Sequence, residues 1–471
     1  MFPPAGTGTI GGVGKDRFVE HGKDRDLQRT YRGRAQRDEH DDPPLRQGPE
    51  RAVLIQSVPR ADEDSADSLS EMAELLRTAG ALVQHRVVQQ RPTPDQRSYL
   101  GRGKLEEVIE LVKEERPDVV AVDGELSPRQ QRTLEDRLGV RVVDRTAVIL
   151  DIFALHATTA EGKLQVELAQ LEYSYSRQEG LWQHLERLGG GVGTRGPGET
   201  QLESDRRLLR NRMGVLRRRL RDLDTSRTVM RDRRLASGIP RVALAGYTNA
   251  GKSSLMNALS GAGVDVNDAL FETLDPTTRT IAHGEYTILL SDTVGFIRSL
   301  PHQLVEAFQS TLDEVREADL VLCVADASQP EHRRDAQAIA VDEVLDEIGA
   351  GSIPRIQVIN KVDLLTESEI AALRGRAASA MLTSSITGQG LEELRDRLAD
   401  LARARHTPID VVIPWAAGDL VSEIYRDGRE VHEESTDVGL RMTAYLPVPA
   451  ARRLETALST RLGLRTDGSA A

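Results

Sequence analysis

The chain has one cysteine in 471 residues, which excludes an intrachain disulfide and suits a reducing compartment, so a cytoplasmic location is expected. Cys323 falls in the apolar run Leu320-Val321-Leu322-Cys323-Val324-Ala325, which reads as a core strand, so the thiol is expected to pack rather than react. Hydrophobic residues make up only 39% of the chain, low for a globular protein. No apolar run approaches the ~18 residues a membrane-spanning helix needs, and no signal peptide is evident, so stable membrane insertion is not expected. Part of the apolar shortfall lies in residues 1–50, which are rich in Gly, Pro and charge and carry nine basic and nine acidic residues. They show no helical or strand period and read as a disordered extension. Within them Gly11-Gly12-Val13-Gly14-Lys15 imitates a phosphate loop. It has Asp16 where a hydroxyl belongs, Thr9 where the first glycine belongs, and no strand before it.

A complete phosphate loop stands elsewhere, at Gly246-Tyr247-Thr248-Asn249-Ala250-Gly251-Lys252-Ser253. The apolar Arg241-Val242-Ala243-Leu244-Ala245 before it reads as a buried strand, and Ser253 to Leu259 has helical spacing. Strand, glycine loop and helix together aim backbone N–H groups and a helix N-terminus at an anion. Lys252 should reach the β- and γ-phosphates, and the Ser253 hydroxyl should bind Mg²⁺. Asn360-Lys361-Val362-Asp363 then names the base. Asp363 can accept from both the N1–H and the exocyclic amine of guanine, whereas adenine offers an acceptor at N1 and no amine beside it. Discrimination of this kind is strong because the wrong base leaves buried polar groups unpaired.

Between the two motifs lie candidate γ-phosphate sensors. Tyr286 to Ser291 reads as a strand ending at Asp292-Thr293-Val294-Gly295, which places a carboxylate near the Mg²⁺ shell and the Gly295 N–H near the γ-phosphate. Upstream, Phe271-Glu272-Thr273-Leu274-Asp275 opens a polar, turn-prone stretch that fits a mobile switch loop. Thr273 is the candidate for a second Mg²⁺ hydroxyl, although three other hydroxyls lie close by and spacing does not select among them. Ser384-Ser385-Ile386 fits a last guanine-contacting loop. Lys252, Thr273 and Gly295 are therefore the candidate catalytic residues. Asn249 admits two readings: its side-chain oxygen helps hold a K⁺ beside the phosphates, or it only shapes the loop. After Gly295 comes Phe296, where Ras-type GTPases place the glutamine that orients the attacking water. Phenylalanine cannot do this, and Ile297 and Arg298 do not replace it. Slow hydrolysis by the isolated protein is expected, and Phe296→Ala should leave that basal rate nearly unchanged.

The chain is too long for one core, and an α/β multidomain fold is expected. Residues 51–150 read as an N-terminal parallel α/β domain, with strands at 52–58, 81–88, 118–122 and 140–143 and helices at 69–78, 104–115 and 128–138. Gly101-Arg102-Gly103-Lys104 opens one of these helices and reads as a glycine turn more readily than as a phosphate site. Residues 151–237 read as a helical hairpin, with helices at 151–187 and 203–235 around a tip at 189–199. Seven of those eleven tip residues are Gly or Pro, too many for a tight turn. Glu203 to Arg234 holds twelve arginines against five acids, in a chain of net charge −12. A confined positive arm on a negative body suggests a polyanion partner. With no aromatics interleaved, structured RNA read by shape fits better than a single strand. Residues 238–405 read as the P-loop GTPase domain, and residues 406–471 as a small C-terminal α/β domain, in which Trp415 is expected in the core.

In the order GYTNAGKS, FETLDPTTR, DTVGF and NKVD, the sequence resembles the HflX-type GTPases of the Obg-HflX group. The stretch from Gly189 to Glu203, followed by Asp205-Arg206-Arg207, is specific to that family, and the resemblance spans roughly residues 51 to 471. It implies that Thr273 is the switch-one metal ligand and that Ser384 to Ile386 form the fifth guanine loop, where the family more often has alanine at 385. It further implies GTP hydrolysis to GDP and phosphate by a switch that binds the large ribosomal subunit, with ribosome dissociation or rescue under stress; a monomer is expected. Two other readings are a GTPase switch for a protein partner, which would not need the arginine arm, and an RNA-remodelling enzyme, for which no helicase motif set is present.

Overall fold

The apolar runs of the N-terminal region form a parallel sheet because both of its faces are covered. The computed structural model describes residues 48–59, 63–188, 197–236, 239–261, 270–271, 277–298 and 309–462. Among these, β1 (Glu50–Val58), β2 (Ala81–Gln90), β3 (Val119–Val122) and β4 (Arg141–Asp144) pair in the order β2-β1-β3-β4. Alternate residues of β1 face opposite cores. Val53 and Ile55 meet Val120, Val122, Leu105 and Leu134, while Ala52 and Leu54 meet Leu69, Met72 and Phe153. The helices are α1 (Glu63–Thr78), α2 (Arg102–Glu115), α3 (Pro128–Leu138) and α4 (Arg145–His156). The bounds of α3 follow from its ends: Ser127 and Gln130 form a capping box, Pro128 opens the first turn, and Gly139 closes the helix at φ 67°. The Gly101 segment is the turn that was expected, with Lys104 paired to Glu107 at 2.5 Å.

The single helix expected over 151–187 is two helices. α4 ends at His156, and α5 (Ala160–Leu188) starts afresh after Thr159, whose hydroxyl accepts from Gly162 N at 2.9 Å. A threonine that caps the next helix ends the previous one. The break also frees α4 to bury Ile149, Ile152 and Phe153 against the sheet. α6 (Pro197–Ala236) returns alongside α5, and Leu168 and Leu171 meet Met213 and Leu216 between them. α6 begins within the stretch read as the tip, with Pro197 in its first turn; residues 189–196 lie outside the described residues.

The next sheet has the order β10-β9-β8-β5-β7-β6: β5 (Arg241–Gly246), β6 (Thr277–His283), β7 (Tyr286–Asp292), β8 (Leu320–Asp326), β9 (Arg355–Asn360) and β10 (Met381–Leu382). All are parallel except β6, which runs antiparallel to β7. Around it lie α7 (Lys252–Ser260), α8 (Gln309–Arg316), α9 (Glu331–Glu347), α10 (Glu367–Arg376) and α11 (Leu391–Ala404). Cys323 is buried, and burial pushes its thiol up to about 11, so it is the inert core residue that its strand suggested.

The last sheet is antiparallel: β11 (His406–Pro414), β13 (Gly439–Pro447) and β12 (Arg429–Thr436), packed against α12 (Gly418–Asp427) and α13 (Val448–Leu462). Trp415 is not in this core. It sits in a single 3-10 turn after β11 that buries Ala417 instead, and remains 62% exposed. No helix among the described residues is long and apolar enough to cross a membrane.

Candidate nucleotide site

β5, β7, β8 and β9 all present their carboxyl ends to one edge of the central sheet, the edge at which α/β sheets bind ligands. The phosphate loop leaves β5 and enters α7 there. Gly251 caps that helix at φ 88°, which favours glycine, and a Cβ on it would also crowd the Asn360 amide. Lys252 is 6% exposed and donates to Gly246 O at 3.1 Å and Tyr247 O at 2.9 Å. An ammonium has three donors, so one is left for a phosphate oxygen. Burial pushes Lys252 down to about 8, with the Asp292 carboxylate opposing it. A polyanion beside Nζ would restore the charged form, which couples the lysine's charge to ligand binding.

Ser253 donates to Asp292 Oδ2 at 2.7 Å, while Oδ1 of the same carboxylate accepts from Thr293 N at 3.0 Å. Asp292 is 2% exposed at the end of β7, and Thr293 Oγ1 is tied to Leu244 O at 2.6 Å. A hydroxyl and a carboxylate held side by side at the foot of the loop are hard oxygen donors that fit Mg²⁺. Gly295 lies against the loop: a Cβ there would come within 2.8 Å of Thr248 Cγ2 and 3.1 Å of Lys252 Nζ. Val294, Phe296 and Ile297 are buried.

The residues expected to recognise the base form one connected cradle. Asn360 donates toward Ala250 O and Gly251 O at 3.4 and 3.5 Å, and its Oδ1 accepts from Thr383 Oγ1, Ser385 N and Ser385 Oγ at 3.1–3.3 Å. It therefore binds the phosphate loop to the 384–386 loop and does not itself need to face the base. Asp363 Oδ1 accepts from Ser384 Oγ at 2.5 Å, while Val362 is fully buried behind it. Ile386 is 83% exposed on the rim. Lys361 donates to Asn249 O at 2.7 Å and pairs with Asp326 Oδ2 at 2.8 Å. Asn249 takes φ 58°, a conformation asparagine tolerates, with its Oδ1 3.5 Å from Lys361 Nζ.

Some expected members stand differently. Glu272, Thr273, Leu274 and Asp275 lie outside the described residues. Phe271 is 2% exposed, its ring edge-on to Phe153 at 4.7 Å in the N-terminal core, so any nucleotide contact falls to its backbone. Phe296 is 1% exposed among Ala243, Leu312 and Val315, which overturns the expectation for its alanine variant. Removing that ring opens a cavity costing about 3–5 kcal/mol, so Phe296→Ala would report on folding before hydrolysis.

Two residues escaped the sequence reading. Asp326 ends β8 as Asp292 ends β7, and its Oδ1 accepts from Ser328 N and Oγ at 2.8 and 2.6 Å while Oδ2 holds Lys361. An acidic residue closing an apolar strand was the available signal. Tyr247 was counted only as a loop position, and nothing in its spacing announces what its hydroxyl touches.

Three family profiles match the chain: GTP-binding GTPase N-terminal over residues 66–154, GTP-binding GTPase Middle Region over 156–234, and 50S ribosome-binding GTPase over 241–361. The protein named GTPase HflX of Lacrimispora saccharolytica is 44% identical over 405 residues, covering 86% of this chain and 95% of that one. The protein of the same name from Escherichia coli K12 is 42% identical over 411 residues, with the same two coverages. Among solved structures, a GTP-binding protein from Sulfolobus solfataricus in complex with GDP aligns over 75% of this chain and 98% of that chain, at 26% identity and TM-score 0.39.

Proposed function

We propose, for a chain that belongs to the HflX family of GTPases, a GTP-hydrolysing switch that acts in the cytoplasm and engages the large ribosomal subunit through its arginine-rich hairpin. The observation that carries the partner is the division of labour among the arginines of α6. Arg212 and Arg217 pair with Glu167 and Glu172 on α5 at 2.7 and 2.8 Å, and Arg206 and Arg210 donate to the Tyr175 hydroxyl. These hold the hairpin together. Arg207, Arg218 and Arg219 are exposed and have no carboxylate partner among the described residues. Guanidinium groups not used internally on a helical arm suit bidentate contact with a phosphate backbone. The match to a profile described as 50S ribosome-binding GTPase supports rRNA of the large subunit as that backbone. Dissociation or rescue of ribosomes under stress, by a monomer whose glycine-rich tip reaches toward the peptidyl transferase region, is the finer reading that the family resemblance supports.

At the site, Lys252 would neutralise the β- and γ-phosphates, and the Gly295 N–H would meet the γ-phosphate. Ser253, with Asp292 behind it and Thr273 from switch one, would hold the Mg²⁺. A bound Mg²⁺ would supply neutralisation of the phosphate charge there. Asp363 would read the guanine edge, and Ser384, Ser385 and Ile386 would border it. Exchanging K⁺ for Na⁺ at constant ionic strength decides the part of Asn249: slower hydrolysis in Na⁺ assigns a cation to its Oδ1, and equal rates leave it shaping the loop.

Sedimentation with isolated ribosomal subunits tests the reading. The protein is expected to travel with the large subunit when a non-hydrolysable GTP analogue is bound, and to travel with it much less with GDP. Failure to associate in either state would turn the assignment toward a switch for another partner.

A further inference from the structure

The hydroxyl of Tyr247, the second residue of the phosphate loop, joins three elements. The ring is 5% exposed and belongs to an apolar cluster shared with Leu69, Met72 and Phe153 of the N-terminal region. The hydroxyl donates to a carboxylate oxygen of Glu71 on α1 and accepts from the backbone N–H of Arg298 at 2.7 Å. Glu71 is 7% exposed, and its other oxygen is held by Arg145, which also bonds Asp123 Oδ1 at 2.8 Å. Asp123 Oδ2 in turn accepts from Gln56 Nε2 and Ser68 Oγ at 2.8 and 2.7 Å. A buried polar chain thus runs from the carboxyl end of the N-terminal sheet to the segment that follows Gly295.

That segment is held at two further points. Phe296 N donates to Gly246 O at 3.0 Å, and Phe296 O accepts from Thr248 N at 2.8 Å. The phosphate-loop backbone fixes residue 296, and the Tyr247 hydroxyl fixes residue 298. The Gly295 N–H directly precedes both. Its position is set by how firmly the next three residues are held.

We propose that Tyr247 is a positioning residue for GTP hydrolysis, with Glu71 of the N-terminal region as its anchor. Through the Arg298 N–H the pair holds the backbone that follows Gly295 so that Gly295 is presented to the transferring phosphoryl group. Positioning of this kind is a large share of catalysis in phosphoryl transfer, where the protein does little covalent chemistry. The proposal rests on the GTPase activity and on no ribosomal partner. GDP has no γ-phosphate, so its binding does not call on Gly295.

The effect is therefore confined to turnover. Tyr247→Phe keeps the ring in its apolar cluster and removes only the hydroxyl. In the full-length chain it should lower single-turnover GTP hydrolysis by about tenfold or more, with affinity for a fluorescent GDP changed by no more than about twofold. Glu71→Gln, which touches no nucleotide, should give part of the same fall. It should add nothing on top of Tyr247→Phe, since the two act through one contact. Thermal unfolding of each variant fixes the temperature at which all are folded. Hydrolysis at the unmodified rate in Tyr247→Phe overturns the proposal. So does a fall in GDP affinity equal to the fall in rate, or losses that multiply in the double variant.

Discussion

Replacing Asp363 by asparagine is expected to weaken GTP binding about 10²-fold or more, roughly 2.7 kcal/mol, and to improve binding of xanthosine triphosphate. The structure sharpens the reason. One carboxylate oxygen of Asp363 is taken by Ser384 Oγ at 2.5 Å, and Ser384 is fully buried, so the carboxylate is held in one orientation before any base arrives. Guanine presents two donors to it. In the asparagine variant an NH₂ group faces one of those donors, and the lost hydrogen bond becomes a buried clash of donors. Xanthine carries an oxygen where guanine carries the amine, and that oxygen meets the new NH₂ group. The Ser384 hydroxyl can accept as well as donate, so it tolerates either end of the amide and the cradle should survive. Equilibrium titration with both triphosphates measures the exchange. Unchanged GTP affinity would remove Asp363 from base recognition.

What could be read from the sequence was what local spacing dictates. A phosphate loop is one strand, one turn and one helix start, so the positions of Gly246 to Ser253 follow from their own order. The same holds for α3, where Ser127, Pro128 and Gly139 mark both ends. Asp292 was legible as a strand end because the apolar run of β7 stops there. What stayed hidden depends on where elements end and which of them meet. Thr159 looks no different from any helical threonine until α4 must turn onto the sheet. Trp415 looks like core until β11 ends one residue before it. Asp326 acquires its part only because Lys361, far along the sequence, stops beside it. Tyr247 is separated from Glu71 by 176 residues, and no periodicity connects them.

GTP hydrolysis by the isolated protein should be slow, and the large ribosomal subunit should raise it by at least about tenfold, equal to about 1.4 kcal/mol of barrier. In-line attack needs a held water and stabilisation of the charge that develops. Phe296 cannot hold the water, because its ring is packed against Leu312 and Val315, and the next residue, Ile297, is 1% exposed. On the proposed reading, a group or an ordering contact comes from the partner. The arm supplies a way to separate docking from chemistry. Reversing Arg207, Arg218 and Arg219 to glutamate leaves the Arg212 and Arg217 pairs that hold the hairpin. Intrinsic hydrolysis and GTP affinity should not change in that variant, since none of the three lies in the nucleotide site. Its subunit binding should weaken and lose roughly 2–3 units of salt-dependence slope, one contact at a time. Stimulation by the subunit should fall in parallel with binding. If the free protein turned over as fast as the ribosome-bound one, the barrier would already be met within this chain, and the partner-activated switch would be wrong.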